Sequence, residues 1–201
     1  MTPQPQLVRR KPPFVARVWP GSRAEPIIRR MRPIRIALSI ALMSICSTAF
    51  AQADAKQSFE RLKALAGTWE GRMTTHPRVP DIDGTLTTVT LRVTSMGNTL
   101  MHEMTGEGRP DDPITMIYVD GARLELTHYC DADNRPRMVA KQSGDAEKIE
   151  FEFLDVKGDL KYGHMHGAVF TIVDENHHTE DWTFMRGDKP YHAHVELRRK
   201  Q

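Results

Sequence analysis

The sequence is poor in cysteine: Cys46 and Cys130 are the only two among 201 residues. A disulfide-stapled scaffold is thereby excluded, and packing has to hold the fold. The chain also lacks an apolar run of the roughly 20 residues that a membrane-spanning helix needs. It shows no repeat of fixed period and no low-complexity tract. Missing too are a serine-nucleophile motif, a phosphate-cradling glycine loop and a His-Glu-x-x-His zinc helix, so no catalytic residue is expected. Finally, the body of the chain has no excess of positive charge. Residues 1–51 hold nine of the 28 Lys and Arg but only one of the 26 Asp and Glu, which leaves residues 52–201 with 19 basic against 25 acidic side chains. At a net charge of −6, that part has no clustered basic surface to offer a nucleic acid or an anionic membrane.

The basic leader has an order of its own. Met31-Arg32-Pro33-Ile34-Arg35 is a short charged stretch, Ile36 to Cys46 is apolar with small polar interruptions, and Ala49-Phe50-Ala51 places small residues where a signal peptidase cuts. Residues 31–51 therefore read as a signal peptide cleaved after Ala51, and the product is expected to be periplasmic or secreted. No stop-transfer pattern follows, so no stable membrane insertion is expected after cleavage. Residues 1–30, rich in proline and arginine, cannot build a core and read as a start-site extension ahead of Met31.

Residues 52–201 fit one domain. Phe59, Leu62 and Leu65 fall at helical spacing, with Ser58 as the expected N-cap and Gly67 as the stop, which predicts a short helix over Ser58 to Ala66. Beyond it the apolar period changes to two. Strands are expected at Thr68 to Thr75, Thr85 to Met96, Thr99 to Gly106, Ile114 to Asp120, Ala122 to Cys130, Pro136 to Gln142, Lys148 to Val156, His164 to Asp174, His177 to Arg186 and Tyr191 to Arg199. Gly97-Asn98, Asp120-Gly121, Glu175-Asn176 and Gly187-Asp188 supply hairpin turns. Ten strands joined by short links favour an all-β, antiparallel up-and-down barrel, because closure removes the exposed edges. Alternation places Val89, Leu91 and Val93 inside, with Leu124 and Leu126, with Ile149, Phe151 and Phe153, and with Met165, Val169 and Val173. Phe170 and Ile172 break that last phase.

At Gly67-Thr68-Trp69-Glu70-Gly71 the chain resembles the Gly-x-Trp start of lipocalins and related calycin barrels. The Gly-x-Trp-x-Gly spacing is also that of nitrobindin-like haem barrels, whose motif continues to a further glycine where this chain has Met73. Leu126-Thr127-His128-Tyr129-Cys130, Asn134-x-Pro136-Arg137-Met138, His164-Met165-His166 and Trp182-Thr183-Phe184 are similar to the recurrent runs of an uncharacterised family of exported bacterial lipocalin-like proteins. The resemblance covers residues 58 to 200. It implies a calycin-type barrel and export, and it brings no activity with it.

All nine histidines fall within residues 52–201. His102 and His128 share the inner phase, as does Cys130. A histidine inside a barrel must be hydrogen-bonded or touch a ligand, since each unpaired ring nitrogen costs roughly 1–3 kcal/mol. The expected pocket combines these polar points with apolar walls from Phe151, Phe153, Trp182 and Phe184, with Trp69 closing the base and Arg137 offering a guanidinium to a carboxylate head group. Glu180 shares the phase of Trp182 and reads either as an acid or base or as a buried carboxylate paired with an arginine such as Arg137. Two His-x-His pairs, His164 with His166 and His192 with His194, occupy one face of their strands two strands apart. They read as solvated surface groups or as a divalent-metal site. The leading expectation is a barrel that binds a small apolar or amphipathic molecule. The alternatives are a haem or divalent-metal binder using these histidines, and an envelope protein-interaction module without a ligand.

Overall fold

The computed structural model describes residues 54–142, 145 and 147–201. The expected signal peptide, its cleavage site and the segment ahead of it lie outside the described residues. A helix, α1, runs over residues 54–64. Ser58 is therefore inside the helix and not its N-cap, and its hydroxyl accepts a hydrogen bond from Arg61. Ala55, Phe59, Leu62 and Leu65 form the buried face of α1 and the turn after it.

Ten strands follow: β1 (Gly67–His76), β2 (Leu86–Thr94), β3 (Thr99–Gly106), β4 (Ile114–Asp120), β5 (Arg123–Tyr129), β6 (Asn134–Ala140), β7 (Lys148–Gly158), β8 (His164–Asp174), β9 (His177–Arg186) and β10 (Lys189–Arg199). Each pairs antiparallel with the next, and β10 pairs with β1 to close the barrel. The up-and-down barrel expected from the alternation is the observed architecture.

The Gly-x-Trp-x-Gly segment explains itself at the closing seam. A side chain at Gly71 would meet the backbone oxygen of Glu196 at 2.0 Å, so only glycine lets β1 and β10 approach there. Gly67 has φ +142°, and the Arg199 guanidinium lies where its Cβ would stand. That guanidinium sits 4.1 Å from the Trp69 ring and donates to the carbonyls of Ala66 and Glu175. Trp69 is fully buried, and its Nε1–H donates to the Leu65 carbonyl at 2.8 Å. Helix, tryptophan and arginine together seal one end of the barrel.

Register departs from expectation in two places, the β2–β3 link and β8. The β2–β3 link is a four-residue turn around the 3-10 segment Ser95–Gly97, so Leu91 faces His102 and Val93 faces Leu100. The shift is two residues, and His102 keeps its inner face. The β9–β10 link is the expected tight turn at Gly187-Asp188, which sets His192 beside Thr183 and His194 beside Asp181. In β8 a register shift between Met165 and Gly167 inserts His166 as an extra residue and reverses the phase. Hence Phe170 is buried inside while Val173 is exposed, the reverse of the expected assignment for this strand.

Candidate functional site

Opposite the sealed end, the barrel opens into a cavity of about 360 Å³. Met73, Ile82, Met104, Met165, Phe184 and Tyr191 give it apolar walls, and Arg109, Asp111, Asp131 and Arg186 are the charged side chains that also line it. Deeper, His102, Thr115, His128 and Trp182 line it from β3, β4, β5 and β9. Thr115 stands beside His102 on one side and His128 on the other in the strand register. Pairing of alternate inward positions thus sets one polar layer across three adjacent strands. An apolar cavity at the lower end of the ligand-pocket size range, with a few convergent polar groups, has the make-up of a small-molecule site.

Beneath this layer lies a buried polar cluster. Glu180 is fully buried and accepts from His102 Nε2 at 2.9 Å, His178 Nε2 at 3.1 Å and Trp182 Nε1 at 3.0 Å. Burial pushes the Glu180 carboxyl up, but the charges and donors of His102 and His178 outweigh it and hold the group well below its ordinary range. Trp69 packs edge-on against His178 with ring centroids 4.3 Å apart, so the cluster joins the sealed base to the cavity layer. Among these groups, His102 Nδ1 and His178 Nδ1 have no hydrogen-bond partner, nor does His128 Nε2. His128 bonds through Nδ1 to Thr115 Oγ1 at 2.8 Å. Burial, then the nearby His102, lowers its pKa to about 3, which keeps the ring neutral at physiological pH.

The residues expected in the pocket divide. His102, His128, Cys130, Trp182 and Phe184 line the cavity. Trp69 lies at the base below it, as expected for a barrel plug, and makes no part of the lining. Phe151 belongs to the packed core against Phe170, with centroids 6.0 Å apart. Phe153 stacks on His166 at 4.8 Å and does not line the cavity. Arg137 stands beside Thr127 on the outer face and pairs with Asp155 through Nε at 2.9 Å and with Glu125. It offers nothing to a cavity guest, and Glu180 takes histidines as partners in its place. Along β6 the buried positions are Asn134, Pro136 and Met138, so Arg137 falls on the outer face by plain alternation; the extra residue at the register shift is Leu154, on β7.

The four candidate metal histidines do not converge. His164 and His166 bond to each other at 3.2 Å beside Phe153. His192 bonds to Thr183 at the cavity rim, and His194 to Asp181 on the outside. Among the described residues, no group of three or more His, Cys, Asp or Glu is placed to hold a metal ion. Cys130 has its thiol pushed up by burial, with the neighbouring Asp111 and Asp131 adding to the effect, so it stays a protonated thiol at neutral pH. The residues that pattern reading missed are Thr115, His178, Met73 and Met104, while Met165 was placed inside by alternation without being assigned to the pocket. His178 was within reach, because it continues the inward phase of Glu180 and Trp182.

No protein-family model matches the chain, and no curated protein matches it. Among solved structures, the crystal structure of Rv2717c from M. tuberculosis is similar with a TM-score of 0.53 and 16 % identity over 71 % of this chain and 96 % of that one. A protein of unknown function from the DUF3598 family of Nostoc punctiforme matches with a TM-score of 0.46 and 13 % identity, over 69 % of this chain and 49 % of its own length. A de novo designed fluorescence-activating β-barrel gives a TM-score of 0.30 at 16 % identity, over 67 % of this chain and 93 % of its own. The first of these supports the barrel fold and says nothing of the guest.

Proposed function

We propose that this barrel binds a small apolar or amphipathic molecule in its internal cavity, and that it acts in the periplasm or outside the cell after cleavage behind Ala51. The observation that carries the binding reading is the cavity of about 360 Å³ whose apolar walls surround the His102, Thr115, His128 layer. A barrel filled by side chains would favour an interaction module without a ligand; this cavity favours a guest. Three methionines in the lining supply a surface that can adjust to the shape of one. The leader at residues 31–51 supports export.

Native mass spectrometry on freshly purified protein tests the reading, together with titration of Nile red followed by its blue shift. A retained mass or saturable dye binding is expected. Apo mass alone with no dye uptake would sink it. Amino-terminal sequencing of exported material tests the cleavage site, with Gln52 expected first.

The second reading is a haem or divalent-cation site at His128, which borders the cavity with Nε2 unpartnered. A Soret band after haem reconstitution, lost in His128→Ala, would support it. Its absence removes the haem form, and metal analysis after dialysis tests the other.

A further inference from the structure

We propose that the cavity's guest is an uncharged molecule presenting an acceptor oxygen, a carbonyl or an ether, to the Nε2–H of His128. The proposal rests on the ligand-binding reading above and narrows it to a chemical class. It follows from a count of protons. Thr115 Oγ1 lies 2.8 Å from His128 Nδ1, and both side chains are buried. The hydroxyl carries one proton, and Nδ1 is the acceptor that the described residues bring to it. When the hydroxyl donates to Nδ1, the neutral ring carries its own proton on Nε2, and Nε2–H is the one group left unused. When Nδ1–H donates to Oγ1 instead, the Thr115 proton has no acceptor and the Nε2 lone pair is unused as well. The first arrangement strands one polar group and the second strands two, so the first is the ground state. Burial of the ring, which keeps it neutral, maintains this choice across the physiological range.

A leftover N–H selects an acceptor. A metal ion or haem iron would need the Nε2 lone pair, and with it the tautomer that strands Thr115. An anionic head group meets a different obstacle: it would shed its water on entering this buried layer, and the neutral His128 ring offers it no charge in return. An uncharged oxygen gains the hydrogen bond without that cost. Nε2 is covered by the lining, so the guest reaches it by displacing side chains, and the unbranched Met73, Met104 and Met165 are those that yield most readily.

Two measurements test this. Nitrogen-15 correlation spectra of the imidazole rings are expected to show His128 as the Nε2–H tautomer at neutral pH, with a mixture of tautomers in Thr115→Val; the Nδ1–H form in the wild type overturns the proposal. The second uses three compounds of matched shape: 2-acetylnaphthalene, 2-ethylnaphthalene and 2-naphthoate. The ketone is expected to bind about tenfold or more tighter than the hydrocarbon, the difference one satisfied donor makes, and tighter than the carboxylate. In His128→Phe the gap between ketone and hydrocarbon should close while the hydrocarbon still binds. Equal affinity of ketone and hydrocarbon in the wild type, or tightest binding by the carboxylate, defeats the acceptor proposal and leaves the cavity reading standing. Failure of all three compounds to bind removes both.

Discussion

The two ends of this barrel are built on opposite principles. At the sealed end the main donors are taken up: Trp69 donates to Leu65, Arg199 covers the Trp69 ring and takes up the carbonyl of Ala66 after α1, and Leu62 and Leu197 are fully buried. At the open end Met104 and Tyr191 are only half-buried, and the polar layer below them keeps ring nitrogens in reserve. The contrast teaches where stability and adaptability are kept. A ligand site assembled from rigid, satisfied groups would have little left to offer a guest, and one assembled without a locked base would not hold its shape.

The largest expected effect breaks the locked end. Trp69→Ala removes a fully buried indole, its hydrogen bond to Leu65 and the surface on which Arg199 stacks. Loss of about 3–5 kcal/mol is expected, read from denaturant unfolding. A loss below about 1 kcal/mol would show that the base is not the stabilising end. The substitution makes no change in the cavity lining.

The polar layer between the two ends is probed by pH. His128 has a folded-state pKa of about 3 against an ordinary value of 6.5. Through that window the unfolded chain holds the extra proton, so stability is complete above about pH 6.5 and falls as pH drops toward 3. The slope expected from one proton is about 1.4 kcal/mol per pH unit. His128→Phe cannot titrate and should flatten this part of the profile. Glu180, held below its ordinary value, adds its own loss once pH falls beneath the usual carboxylate range, in wild type and variant alike. An unchanged slope in His128→Phe would mean that the neutral buried histidine is not what couples folding to acid.

How much of this was legible before the fold was seen depends on whether alternation held. Along β3, β5 and β9 it holds, and His102, His128 and Trp182 fall inside as expected, whereas in β2 it holds for Val89 and Leu91 but not for Val93, which was expected inside and is exposed at the end of the strand. His178 follows from the same rule applied two residues further along β9. The rule fails where one residue is inserted. At His166 the β8 register slips, so both Met165 and Phe170 face inward although five positions separate them, and no strict period of two reproduces that. Arg137 is a different case: β6 alternates strictly, with Asn134, Pro136 and Met138 buried, so the rule itself puts Arg137 outside and only the expected use of its guanidinium drew it into the pocket. Glu180 was legible as buried, but its partners were not. They come from β3 and from its own strand, and which neighbours a carboxylate meets across a barrel depends on the closure of the sheet, which local pattern does not encode.

At the open end, Met104→Ala tests adaptability against stability. Met104 is half-buried and lines the cavity, so the fold should lose only about 1 kcal/mol, well under what a fully buried methionine loses. The expected outcome is a small change in unfolding midpoint with a clear change in Nile red affinity. A large stability loss with unaltered dye binding would place the mouth methionines in the structural core and erase the distinction between the two ends.

The smallest effect is expected on the outer wall, where the histidines that sequence pattern grouped as metal ligands lie. His194 Nδ1 is 2.7 Å from Asp181 Oδ1, and both side chains are well exposed, at 44 % and 51 %. An exposed pair of this kind contributes little because water screens it and two mobile side chains must be held in place. His194→Ala should therefore change stability by less than about 0.5 kcal/mol and leave dye binding as in the wild type. The corresponding substitution one position inward along β10, Ala193→Asp, places an unpaired carboxylate on a cavity-lining position beside Trp182 and should abolish Nile red binding. Adjacent residues on one strand would then differ from no effect to complete loss, which is the signature of a wall with a working inside and a neutral outside. Equal effects at the two positions would mean that the cavity wall does not divide the strand in this way.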